Sequence, residues 1–400
     1  MSEQDLTPRL RALGSTGGVP TALPATRAAS LGWVRVRPVV VYVASRLVLF
    51  LLAALVGMAT HRSSASELAG FDGQWYLRLA EHGYPTQVLH AQSTLGFFPL
   101  YPLAIRASAW LFGGSFFEAA LAVSFAGGIA ATLLAERIAA SWWDERTAEK
   151  AVVAFVLFPG SIVFSMAYSE GLTVPLVLGS LLALRSKRWV TAGVLAGFAT
   201  AVEPVALVLI PVCLLVVARE LRGGNWRSSA ARKSLVAPLL APLGVGAFAV
   251  FLWFWTGTPF ATLTAQHYGW YEQSNPLGIF GLPIVRHVLA HPSNVLGYLP
   301  SWNLWNGILG GVFLACALVA LWRARQELSP GALAWSVGVA VITLWSVMTP
   351  PNARMLLIAS PAVLIWARRL SPRAFRRFVV IESAAFVFMG VLTLSGRMLP

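Results

Sequence analysis

Charge is what this sequence has least of. Charged residues make up 12% of its 400 positions, about half the roughly 25% that a soluble domain uses to coat its surface. Cysteine is nearly absent: Cys213 and Cys316 both fall inside apolar runs, so they read as small buried hydrophobes and not as a disulfide or metal pair. No phosphate-binding Gly-Lys-Ser/Thr loop or dinucleotide fingerprint occurs, which argues against ATP hydrolysis and against a soluble nucleotide-sugar domain. His82, His267, His287 and His291 do not assemble a zinc signature, and no metal site is expected from them. What is present in excess is apolar. Hydrophobic residues reach 57%, with 16 Trp, 22 Phe and 24 Pro. That composition fits an all-α polytopic membrane protein, where neighbouring helices re-satisfy the backbone that proline interrupts.

The charges are unbalanced, 30 Lys+Arg against 16 Asp+Glu, and their placement fixes a topology. Residues 1–38 are rich in Arg, Pro, Ser, Thr and Gly, without the apolar run of a signal peptide, and read as a disordered cytoplasmic tail. Apolar runs then predict eleven spans, near 39–60, 116–136, 151–167, 170–184, 189–202, 204–218, 235–256, 302–321, 331–348, 354–367 and 378–395, on the template of about 20 residues per crossing. The stretch from Phe97 to Phe116 is apolar but carries Arg106. If it lies in the interface, 23 Lys+Arg fall on one side and five on the other: Arg62, Arg78, Arg286, Arg354 and Arg397. Arg46 and Arg106 stay within apolar segments. The positive-inside rule then predicts a cytoplasmic N-terminus and an external C-terminus. A single transmembrane domain is expected over 39–395, with external loops at 61–115 and 257–300 and an external tail at 396–400. Loops that long usually carry function.

The first external loop holds the densest polar and aromatic cluster, Phe71-Asp72-Gly73-Gln74-Trp75-Tyr76-Leu77-Arg78-Leu79. On a helix, Asp72, Trp75, Tyr76 and Leu79 share one face. An acid beside flat rings suits a sugar hydroxyl, whose proton the carboxylate accepts. An aromatic interface anchor with Asp72 as helix N-cap explains the same spacing. Arg354 follows Thr349-Pro350-Pro351-Asn352 at a span start, where it either snorkels to headgroups or offers a phosphate its guanidinium fork. Glu170 and Glu203 stand at external span ends, as substrate-binding groups or as helix-end carboxylates facing water. The second loop contributes Gln266, His267, Tyr268, Trp270, Tyr271 and Glu272, suited to sugar recognition or to an interface belt.

The Asp72 motif resembles the signature of the GPI mannosyltransferase II (PIG-V-type) family and its bacterial relatives, in which an acid precedes a Trp-Tyr pair. Phe97-Phe98-Pro99-Leu100-Tyr101-Pro102-Leu103 with Arg106 is similar to that family's Phe-Pro-Leu-Tyr-Pro segment. Further matches are Leu157-Phe158-Pro159, Tyr168-Ser169-Glu170, Thr258-Pro259 with Ala265-Gln266, and Arg354 before Leu356-Leu357 and Pro361. The resemblance spans residues 39–370 in order. It implies a GT-C-like helix bundle and a glycosyltransferase, specifically a mannosyltransferase, acting on the external face. The sugar would pass with inversion from a polyprenyl-phosphate donor to a lipid- or protein-linked acceptor. On this chain it implies Asp72 as base, Arg354 and Arg106 on the donor phosphate, and Trp75, Tyr76, Tyr101, Tyr168, Glu170, Glu203, Gln266 and His267 on substrate. Two positions depart. Glu203, in Thr200-Ala201-Val202-Glu203-Pro204, stands where relatives often carry Arg, and Phe71 stands where Trp commonly precedes the acid. A divalent cation on Asp72 and Glu170 through water stays open. The competing class is a transporter or flippase of lipid-linked substrates, which would place ionisable groups near the midplane and show paired repeats.

Overall fold

The computed structural model describes residues 36–223, 228–272, 302–346 and 351–400. Nearly all of the expected tail, and 273–300 of the second expected loop with Arg286, His287 and His291, lie outside the described residues. So do Thr349 and Pro350.

The chain is helical throughout, with no β-strand among the described residues. The apolar runs form α1 (Val36–Thr60), α5 (Phe116–Ala140), α9 (Leu209–Gly223), α12 (Leu243–Thr256), α14 (Trp302–Ala324) and α18 (Pro372–Leu394). Short elements α2 (Ser64–Leu68), α3 (Asp72–His82) and α4 (Leu100–Ser108) follow α1. Between α5 and α9 come α6 (Glu145–Leu157), α7 (Glu170–Arg185) and α8 (Trp189–Thr200). α10 (Ser229–Ser234) and α11 (Val236–Leu240) lead into α12, and α13 (Ala261–Thr264) follows it. α15 (Pro330–Trp345), α16 (Ala353–Ile358) and α17 (Ser360–Leu364) precede α18.

Six of these segments are long and apolar enough to cross a bilayer: Pro38–Thr60, Phe116–Ala140, Pro204–Arg222, Ala231–Thr256, Trp305–Ala324 and Pro372–Leu394. A seventh arises if α6 and the 3-10 turn Pro159–Ser165 count together, although they bend by 70° at Pro159. The other expected spans are helical but short or broken. α8 has 12 residues, about 18 Å at 1.5 Å per residue, against about 30 Å of hydrocarbon. The run 354–367 breaks at Ala359 into α16 and α17. Eleven full-length crossings are thus more than these helices supply. α4 has nine residues, too few to cross, as expected for the stretch 97–116.

Helices approach closely where side chains are smallest. A Cβ on Gly127 of α5 would lie 1.6 Å from the Gly171 carbonyl oxygen of α7, and one on Gly244 of α12 would lie 1.9 Å from that of Gly197 in α8. Lipid supplies no hydrophobic drive for helix association, so close van der Waals packing of this kind does. Gly193 and Gly197 therefore serve packing inside the chain, against Ala237 and Leu240. One end of the bundle collects the end of α1, the starts of α5, α7, α9 and α16, and the end of α8. Hydrogen bonds there tie Ala167 N–H to the Leu68 carbonyl and Leu100 N–H to the Ala201 carbonyl, both at 3.0 Å.

Candidate functional site

α3 begins in a strained turn. Phe71 has φ 54° and ψ −117°, a left-handed conformation that a bulky residue adopts only where its surroundings impose it. The Tyr168 hydroxyl sets those surroundings. It accepts from the Asp72 N–H at 3.3 Å and donates to the Gly70 carbonyl at 3.4 Å. Asp72 is therefore clasped by its backbone while its carboxylate projects to Arg354, whose Nη1 lies 2.5 Å from Oδ2. Arg354 also pairs through Nε with Glu170 Oε1 at 3.3 Å, and its Cζ lies 5.4 Å from the centroid of the Tyr168 ring, within cation–π reach.

The Arg354 guanidinium thus sits between two carboxylates from α3 and α7, and the first turn of α16 presents it. Asn352 caps that turn by accepting from the Met355 N–H at 2.9 Å. The Glu170 side chain is 2% exposed, and its Oε2 is buried with no partner among the described residues. Glu203 completes the cluster from the α8–α9 junction. Tyr76 donates to Ser169 Oγ at 2.8 Å, and Ser169 donates on to Glu203 Oε2 at 3.4 Å. Burial, with the Glu170 charge beside it, pushes the Glu203 carboxyl up to about 8. Burial and the charges of Glu203, Asp72 and Glu170 likewise hold the Tyr76 phenol well above its usual range, so it stays a donor at neutral pH.

Asp72, Tyr76, Tyr168, Glu170, Glu203 and Arg354, separated by up to 282 positions, therefore meet at one end of the bundle. Ser169 joins them as the bridging hydroxyl. It stood inside the quoted Tyr-Ser-Glu triplet, but its bridging role has no sequence signal. The remaining expected site residues lie elsewhere. Trp75 stacks on Phe97 and meets Trp270 edge-on at 5.0 Å. Tyr101 is wholly buried behind Tyr76, sharing a hydrogen with Ser124 Oγ at 2.7 Å. Arg106 caps the far end of α3, donating to the carbonyls of Ala80 at 2.7 Å and Glu81 at 2.9 Å. That is about 12 Å along the helix from Asp72. Gln266 donates to the Gly96 carbonyl at 2.7 Å and so holds one loop against another, while His267 packs edge-on against its neighbour Tyr268.

The donor set does not suit a divalent cation bound between Asp72 and Glu170. The Arg354 guanidinium fills the space where such an ion would sit, and no group of three His, Cys, Asp or Glu that could hold a metal occurs among the described residues.

An apolar groove of about 780 Å³ shares α3 and the end of α8 with the cluster, lined by Leu79 and Tyr84, by Phe198 and Ala201, and by Phe248 and Trp255 of α12; the charged residues themselves do not line it. Phe198 is 49% exposed and Trp255 45%, so the groove is open at the molecular surface. Arg106 stands at its wall.

No protein-family model and no curated protein sequence matches the chain. Solved structures do. The apo oligosaccharyltransferase of Archaeoglobus fulgidus superposes with a TM-score of 0.54 at 15% identity, over 91% of this chain and 56% of that one. Apo ArnT from Cupriavidus metallidurans gives 0.53 at 16% identity, over 89% of this chain and 75% of that one. ArnT bound to undecaprenyl phosphate gives 0.50 at 16%, over 90% and 76%. The chain spans little more than half the length of the oligosaccharyltransferase. At these identities the likeness is one of fold: the chain is all-α among its described residues, shares the helical architecture of these structures, and carries six helical segments long and apolar enough to cross a bilayer.

Proposed function

We propose that the chain is an integral membrane glycosyltransferase that moves a sugar from a polyprenyl-phosphate donor to a lipid- or protein-linked acceptor. The observation that carries this reading is the Asp72–Arg354–Glu170 cluster at one end of the bundle, with an apolar groove that shares α3 and the end of α8 with it. The groove suits a polyprenyl chain, and ArnT, of like fold, binds undecaprenyl phosphate. At the finer level we assign a mannosyltransferase of the GPI mannosyltransferase II type, on the motifs around Asp72 and Tyr101. The charge bias of the loops puts the site on the external face.

In the proposed reaction the acceptor oxygen attacks the anomeric carbon from the face opposite the phosphate. Its proton passes to the Asp72 carboxylate, and the bond from the anomeric carbon to phosphate oxygen breaks with inversion. The polyprenyl phosphate leaves with the bonding electrons, its charge met by Arg354, whose planar fork matches phosphate oxygens. Arg354 has a second use in this scheme. Paired with Asp72, it occupies the carboxylate oxygen Oδ2; drawn onto the donor phosphate, it leaves that oxygen free to accept the proton. Donor binding then arms the site.

Membranes carrying Asp72→Asn should lose transfer of labelled mannose from polyprenyl-phosphate mannose by about 10²–10⁴-fold, the range for a lost general base, at unchanged protein level. Undiminished transfer would remove Asp72 from the chemistry. Movement of lipid-linked sugar across vesicles, with no new glycosidic product, would favour a flippase.

A further inference from the structure

Arg46 lies ten residues into α1, within an apolar span where a cation is costly. It is 0% exposed, yet its hydrogen-bond partners are hydroxyls and carbonyls. Nε and Nη2 donate to Ser45 Oγ at 3.2 and 3.1 Å. The rest of the guanidinium reaches the elbow between α6 and the turn Pro159–Ser165. Nη2 donates to the Val156 carbonyl at 3.1 Å and to Ser161 Oγ at 3.0 Å, and Nη1 donates to the Ser161 carbonyl. The rings of Tyr42 and Phe386 close over it, each with its centroid 5.0 Å from Cζ.

The elbow needs such a clasp. Pro159 carries no N–H and the helix turns by 70° there, so carbonyls at the end of α6 lose the donors a continuing helix would supply. Val156 recovers two, from Arg46 and from Ser161 Oγ at 2.7 Å. Unpaired in an apolar interior, each such carbonyl costs free energy comparable to a lost hydrogen bond. The clasp also fixes Gly160, the residue between Pro159 and Ser161. A Cβ there would lie 2.1 Å from the Ala353 carbonyl oxygen and 2.9 Å from the Arg354 nitrogen. The backbone that presents Arg354 therefore rests directly on the segment that Arg46 holds.

We propose that Arg46 is a positioning residue, which locks the Pro159–Ser165 elbow as the seat of Arg354 and thereby sets the reach of that arginine to Asp72, Glu170 and the donor phosphate. This rests on the glycosyltransferase reading for its kinetic consequence, but not for its geometric one. Lysine at position 46 keeps the charge and loses the fork that spans residues 156 and 161. Ser161→Ala removes one bond of the clasp while leaving the arginine in place.

The purified full-length protein tests this in two ways. With polyprenyl-phosphate mannose as donor, Arg46→Lys and Ser161→Ala should raise the donor KM by about tenfold, with the acceptor KM unchanged, as expected when binding of one substrate alone is weakened. Ser180→Ala, which removes a buried bond to the Ala192 carbonyl between α7 and α8, should leave both KM values as they are. The second readout is a double-mutant cycle in thermal unfolding, which needs no turnover. Ser161→Ala should lower the melting temperature less in an Arg354→Met background than in the native chain, because the seat then holds nothing charged. Additive shifts, or a fall in kcat with both KM values unchanged, would overturn the positioning role. A native protein that transfers no sugar would overturn the transferase reading, while the cycle would still decide the geometry.

Discussion

The two ends of the bundle hold the same kinds of charged group in opposite circumstances. At the Asp72 end, Arg354 and Glu170 are 18% and 2% exposed in their side chains, and the ion pairs join three separate helices. At the other end, Lys187 pairs with Glu220 at 2.7 Å with 64% and 34% exposure. Arg368 and Arg369 share Glu327 there, with Trp143 Nε1 donating to the same carboxylate at 2.9 Å. Lys150 and Arg185 reach loop carbonyls at Leu370 and Ser141. The Lys187 pair is exposed and ties loops together at little net gain; Arg368, 7% exposed in its side chain, is the buried exception at this end. Buried ones hold each other in place, because removing one partner strands the other in a medium that cannot solvate it. The contrast separates a candidate site from a cationic rim built of similar residues.

The contrast breaks most visibly at Arg354. Arg354→Met leaves Asp72 and Glu170 without their shared cation, and stability should fall by about 3–5 kcal/mol, the cost of orphaning a buried charge. Adding Glu170→Gln should recover part of the loss in a thermal unfolding assay; no loss in the single variant would show that the cluster is solvated. The next effect is a pH slope at Glu203. A carboxyl held at about 8 in the folded chain against an ordinary 4.5 binds its proton more tightly folded than unfolded. Its stabilisation is complete below about pH 4.5 and is lost as pH rises through about 8. The melting temperature should therefore drift down between about pH 5 and about pH 9, and Glu203→Gln should flatten that drift. A slope that survives the substitution would assign it to another group. Smallest is the rim: Lys187→Ala should cost at most about 1 kcal/mol, and a larger loss would mean that this end, too, is rigidly coupled.

Much of the fold was legible because its signals are local. Apolar runs located α1, α5, α9, α12, α14 and α18, with ends that differ by up to eight residues, as at the start of α12, since hydropathy is read along the chain. The short helices were harder. α7 and α8 are apolar enough to pass as spans, but their 16 and 12 residues fall short of the template, and only their burial among neighbours lets them stand. Within the site, Asp72 stood out as an acid among aromatic residues in the first long loop, and Arg354 as a cation at a span start. Tyr101, quoted from a motif as specific as that of Asp72, is wholly buried in packing, and Arg106 caps α3 while standing at the wall of the apolar groove. A motif records which residues occur together, not which of them face a substrate.

Arg46 shows the same limit from the other side. A lone arginine in an apolar span is conspicuous in sequence, yet its partners are backbone carbonyls at an elbow more than 100 positions away, which no pattern of side chains could announce. The sequence by itself determined the membrane setting, the helical class and the uneven distribution of charge, because hydrophobicity and charge are properties of residues in order. Only the tertiary structure decided which of the few charges near the Asp72 end became buried partners. Burial and pairing depend on distance in space, and Asp72, Glu170, Glu203 and Arg354 come within reach of one another only when the ends of α3, α7, α8 and α16 are packed together.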